Sequence, residues 1–170
     1  MQNHFALFQL PLQFSIDMDS LNAAYREVQN RVHPDKFANA TDAEKRVAMQ
    51  WATLANEAYQ TLKNPLKRAM YFCQLHGVDL QIETNTAMPR DFLIQQMEWR
   101  DTLDEAINNE NVHALEKLDA EFKGTRQLEL DQIGGMLDDN NFVAVAQGIR
   151  RLMFLEKFGD EIDAALQSCD

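Results

Sequence analysis

The sequence predicts an all-α protein: a helical hairpin over residues 1–75, a connector over 76–89, and a three-helix antiparallel bundle over 90–170. Two observations carry this. Apolar residues recur at helical spacing in successive segments, and polar or proline-containing breaks separate those segments at short intervals. With only four Pro and six Gly, little of the chain is left for long linkers.

The first helix is expected from Leu21 to Val32, where Leu21, Tyr25, Val28 and Val32 form one apolar stripe and Arg26, Gln29 and Asn30 turn outward. Ser20, or Asp19 just before it, suits the N-cap. Pro34 pushes His33 out of the α region, so the helix should stop there. The second helix starts near Thr41, with Glu44 three residues on completing a capping box. Its inward stripe is expected to be Val47, Trp51, Leu54, Ala58 and Leu62, and it ends before Asn64-Pro65. Two helices joined by so short a loop pack antiparallel, which displays His33-Pro34-Asp35 at the hairpin tip.

That tripeptide reads in two ways. It is either a recognition element on a rigid scaffold, or a helix stop followed by a turn-capping aspartate. An acid-base reading of His33 and Asp35 lacks an accompanying nucleophile or metal-ligand cluster.

Net charge is −11, and it is uneven: residues 1–75 hold eight Lys/Arg against seven Asp/Glu, while residues 76–170 hold eight against twenty. So acidic a chain is a poor candidate for nucleic acid, which demands a basic footprint. No apolar run approaches a membrane span, and the first residues lack the layout of a secretory signal, so no membrane partner and a cytoplasmic location are expected. Cys73 and Cys169 form neither a disulfide framework nor a zinc site; Cys73 is expected in the core and Cys169 exposed. No cofactor is expected.

In the acidic half a helix opens at Asp91 just after Pro89 and runs through Asn108. A second begins near Val112 with Leu115, Leu118, Phe122, Leu130, Ile133 and Leu137 on one side, and a third runs from Phe142 towards Ser168 after a turn at Asp138–Asn141. Gly124, Gly134 and Gly135 weaken the second locally. On the first, Phe92, Trp99, Leu103, Ala106 and Ile107 share the inward stripe, whereas Leu93, Ile94 and Met97 fall on the flank and far side, followed by Glu98, Asp101, Asp104 and Glu105. An apolar patch rimmed by carboxylates either docks on the rest of the chain or binds a partner.

The motifs Tyr25-Arg26, Val32-His33-Pro34-Asp35-Lys36, Asn56-Glu57-Ala58-Tyr59, Asn64-Pro65, Arg68-Ala69 and Tyr71 resemble, in that order, the J domain of DnaJ-like co-chaperones, over about residues 3–73. Leu66-Lys67, Leu75-His76-Gly77-Val78-Asp79-Leu80, Phe92-Leu93-Ile94-Gln95-Gln96-Met97-Glu98 and Phe154-Leu155-Glu156-Lys157 extend the resemblance to the HscB family of iron-sulfur cluster assembly.

The resemblance implies a co-chaperone, not an enzyme, whose J-domain hairpin stimulates a DnaK-type ATPase chaperone, HscA. It implies that the C-terminal bundle holds the cluster scaffold, IscU. Residue by residue, His33, Pro34 and Asp35 look like the stimulating loop, with Arg26, Arg31 and Lys36 as basic neighbours. Leu93, Ile94, Met97, Glu98, Asp101, Glu105 and Phe154 look like the scaffold-binding face. Asp101 stands where the family commonly has Glu, the second bundle helix looks extended around Gly134-Gly135, and the zinc-binding extension of some relatives is absent, so no metal is expected. The alternative is a general J-domain co-chaperone for unfolded clients.

Overall fold

The computed structural model describes residues 3–80 and 87–169, and the middle of the expected connector lies outside them. The described residues form seven α-helices, with no strand among them, in two compact units, Met1–His76 and Gly77–Asp170.

The first unit is built on α2 (Met18–Arg31) and α3 (Asp42–Lys63), flanked by α1 (His4–Leu7) and α4 (Pro65–Leu75). The cap of α2 is Asp17, not Ser20 or Asp19: its carboxylate accepts from Asp19 N at 3.0 Å and from the Ser20 hydroxyl at 2.9 Å. Thr41 caps α3 as expected, its hydroxyl accepting from Glu44 N at 3.2 Å. Asn64 ends α3 and caps α4, accepting from Lys67 N at 3.1 Å.

The facing of α3 departs from the expected stripe. Ala58 and Leu62 are buried, but Val47, Trp51 and Leu54 are exposed and Ala48 and Ala55 take the inward positions. Small side chains let α2 approach closely. Tyr25 and Tyr59, with ring centroids 4.1 Å apart, lie between the helices, and each hydroxyl crosses to the partner helix: Tyr25 donates to Asn56 Oδ1 at 3.2 Å and Tyr59 to Asn22 Oδ1 at 2.8 Å. These bonds set the hairpin register.

The short α1 is held by tertiary contacts, because four residues cannot sustain a helix alone. Phe5 is buried edge-on to Phe72, and His4 N donates to the Tyr71 hydroxyl at 2.9 Å. Arg68 is buried too. It donates to the Leu62 carbonyl at 3.0 Å, closing the end of α3, and lies 4.9 Å from the centre of the Phe14 ring.

Cys73 is fully buried, and burial pushes its thiol up to about 11. Cys169 is exposed. One equivalent of a thiol reagent at mildly alkaline pH is therefore expected to react with the native protein and two after denaturation. Two fast native equivalents would contradict the packing around Cys73.

The second unit consists of α5 (Arg90–Asn108), α6 (Val112–Asp138) and α7 (Phe142–Ser168). Both inter-helix turns repeat one chemistry. Glu110 and Asn140 adopt positive φ (51° and 56°), and the next residue, Asn111 or Asn141, donates its N–H to the helix just ended (to Ala106 O and Met136 O, both 2.9 Å). The same asparagine then caps the next helix, accepting from Ala114 N at 3.1 Å or Ala144 N at 3.3 Å.

Every apolar residue expected on the inward side of α6 is buried, and α6 runs unbroken past Gly124, Gly134 and Gly135. Close approach is instead served by glycines of α7. A Cβ at Gly159 would lie 2.6 Å from Phe122 Cζ, and one at Gly148 2.9 Å from Ile133 Cγ1. Phe122, Trp99 and Phe158 form one aromatic cluster with centroids 5.6–6.2 Å apart, binding all three helices together. Of the stripe expected to face inward on α5, Trp99, Leu103 and Ala106 are buried, Phe92 is partly buried and Ile107 at the helix end is exposed.

Candidate functional site

The tip of the hairpin is a rigid corner. His33 is extended (φ −61°, ψ 136°), as a residue before proline must be, and Pro34 opens a single 3-10 turn over Pro34–Phe37. Lys36 N donates to the His33 carbonyl at 2.9 Å, and Asp35 N donates to His33 Nδ1 at 3.2 Å. An imidazole nitrogen that accepts an N–H carries no proton. The Asp35 carboxylate, 3.6 Å from the same Nδ1, is thus not hydrogen-bonded to it while the cap is made. The His33 and Asp35 side chains are 56% and 92% exposed, so the corner offers an imidazole and a carboxylate held by backbone geometry.

Arg26, Arg31 and Lys36 are all exposed near this corner. Arg31 is engaged by Glu27, one turn back, at 2.6 Å, whereas Arg26 and Lys36 have no ion pair among the described residues. Beside the corner a groove of ≈ 280 Å³ runs between α2 and α3, lined by Tyr25, Val28, Val32, Pro34, Ala52 and Ala55. The positions of Ala52 and Ala55 follow from the facing of α3, which periodicity alone misjudges.

The second candidate site is the outward face of α5. Leu93, Ile94 and Met97 are exposed, Met97 at 68%, on the side opposite Trp99 and Leu103. Phe154 of α7 joins them at 45% exposure, its ring set edge-on to Phe92 at 6.4 Å. Glu98, Asp101 and Glu105 continue the face along the helix, all exposed and without an ion pair among the described residues. Six of the seven residues expected on this face thus lie on α5, and Phe154 meets that helix from α7 at Phe92. Each of the cations Arg100, Arg126 and Arg151 is instead spent on a partner within the bundle: Arg100–Glu161 at 2.7 Å, Arg126–Glu156 at 2.5 Å and Arg151–Glu129 at 2.9 Å.

Neither site holds the makings of a metal centre: among the described residues no group of three or more His, Cys, Asp or Glu is placed to bind one. No helix among them is long and apolar enough to cross a membrane.

Residues 4–71 match the family model of the DnaJ domain, and residues 88–163 that of the HSCB C-terminal oligomerisation domain. The chain is 52% identical over 165 residues to the co-chaperone protein HscB homolog of Burkholderia mallei, covering 97% of this chain and 94% of that one. Among solved structures it is similar to the chaperone HscB of Vibrio cholerae (34% identity, TM-score 0.87, 99% and 100% of the two chains covered) and to human co-chaperone protein HscB (27% identity, TM-score 0.87, 96% and 82% covered). A J domain carrying an exposed His-Pro-Asp corner, followed by a three-helix domain matched over its length to these relatives, makes this chain a member of the HscB family of co-chaperones.

Proposed function

We propose that this protein stimulates the ATPase of a DnaK-type chaperone, HscA, and delivers to it the iron-sulfur cluster scaffold protein, IscU. It does no chemistry of its own. It binds one conformation of the chaperone better than another and shifts that equilibrium by the difference in affinity. The observation that carries this reading is the His33-Pro34-Asp35 corner, exposed and locked by its own 3-10 turn.

The corner engages the ATPase, with Arg26, Arg31 and Lys36 favouring an acidic surface. The face made by Leu93, Ile94, Met97 and Phe154 seats the scaffold, with Glu98, Asp101 and Glu105 selecting a basic rim. Two free cysteines suit the reducing cytoplasm as the setting.

The test is the chaperone's ATPase rate with this chain alone and with scaffold added. Stimulation by the chain, rising further with scaffold, is expected; no stimulation by the chain would overturn the reading. An unfolded polypeptide that displaces the folded scaffold with equal ease would make the face a general client holder instead.

A further inference from the structure

Arg150 on α7 is a buried cation for which the described residues supply no counter-ion. It is 8% exposed, its Nε has no acceptor, and no carboxylate among the described residues pairs with it, although this half of the chain holds twenty Asp and Glu. Its neighbour Arg151 takes Glu129. A guanidinium removed from water without a partner is destabilising, and a polar group left so usually serves something outside the fold.

Its place in the bundle says what that is. Arg150 and Phe154 stand one turn apart on the same side of α7, and Phe154 touches Phe92, the residue before Leu93. Arg150 therefore stands beside the α7 end of the apolar patch, as the carboxylates stand along α5. Of its nitrogens only Nε is both shut off from solvent and without an acceptor, and 8% of the residue stays exposed. A second buried donor without an acceptor, Gln96 Nε2, lies one turn beyond Phe92 on α5.

We infer that Arg150 is the receptor for a carboxylate side chain of the bound protein, so that the face reads charges of both signs: cations along α5 and one anion beside Phe154. This rests on the scaffold-binding reading of the face. A carboxylate is favoured over other groups because its two oxygens match the guanidinium fork in one plane.

The test is titration of folded scaffold protein into the unmutated chain, Arg150→Met, Arg150→Lys and Met97→Ala at low and high salt, with melting curves for each. Arg150→Met should melt no lower than the unmutated chain, since an apolar side chain replaces an unpaired buried charge. It should bind scaffold at least about tenfold more weakly and with less dependence on salt, with Arg150→Lys between the two. Unchanged affinity in Arg150→Met, with Met97→Ala weakened, would overturn this inference and leave the face intact. Loss of binding by the unmutated chain would overturn both.

Should Arg150→Met fold poorly, the Arg150 Nε–H resonance, assigned by its disappearance in Arg150→Lys, decides the matter. Scaffold should move it strongly and an equal concentration of acetate or inorganic phosphate should not. A shift with the free anions alone would make this a small-anion site and overturn the inference.

Discussion

His33→Gln is expected to lower stimulation of the partner ATPase by at least about thirtyfold in effective affinity, the scale of a central contact worth about 2 kcal/mol. Stability should change by less than about 0.5 kcal/mol, because the side chain is exposed. Two roles of the imidazole have to be separated. Nδ1 caps the 3-10 turn by accepting from Asp35 N, which leaves Nε2 as the ring's donor to a partner. Asn at this position keeps a good capping group and loses the ring. If the Nε2 donor is what the chaperone feels, His33→Asn fails as His33→Gln does. If the cap alone matters, His33→Asn retains most of the stimulation. Steady-state ATPase rates over a range of co-chaperone concentration distinguish the two.

Met97→Ala is expected to weaken scaffold binding by roughly ten- to hundredfold, measured by calorimetry. Met97 stands most exposed of the four apolar residues on the face, with Leu93 and Ile94 close by, and its flexible thioether suits an adaptable contact. Glu98→Gln at the rim should cost less and lose its effect at high salt. Stimulation of the chaperone without scaffold should be unchanged in Met97→Ala, and the melting temperature nearly so, because Ala is the better helix former and little is buried. Equal loss in the binding and ATPase assays would instead indicate damage to the fold.

Much of this architecture was legible where boundaries are written in single residues. Thr41, Asn64-Pro65 and Pro89 mark helix ends through hydrogen bonds and forbidden torsions that act locally. The inward side of α6 was legible because six large apolar residues hold one period over many turns.

What was not legible depends on partners distant in sequence. Val47, Trp51 and Leu54 were expected inside because, with Ala58 and Leu62, they recur at helical spacing. The α2–α3 contact selects the small Ala48 and Ala55 instead, and the size of the gap is set by Tyr25 and Tyr59. Gly148 and Gly159 give no periodic signal, yet they fix how near α7 comes to Ile133 and Phe122. For the candidate sites, the tip was readable from one tripeptide, since Pro34 dictates the backbone on both sides. The α5 face was readable as a stripe, but Phe154, from another helix, came only through family resemblance. The buried, unpaired state of Arg150 follows from three-dimensional packing alone.

The central claim is that one molecule must carry both surfaces, the corner for the ATPase and the α5 face for the scaffold. Mixing His33→Gln with Met97→Ala supplies each surface intact but on separate chains. With scaffold present, the mixture should give the chaperone no more ATPase stimulation than Met97→Ala alone, at concentrations where the unmutated chain gives its full rate. Recovery of that full rate by the mixture would contradict the claim.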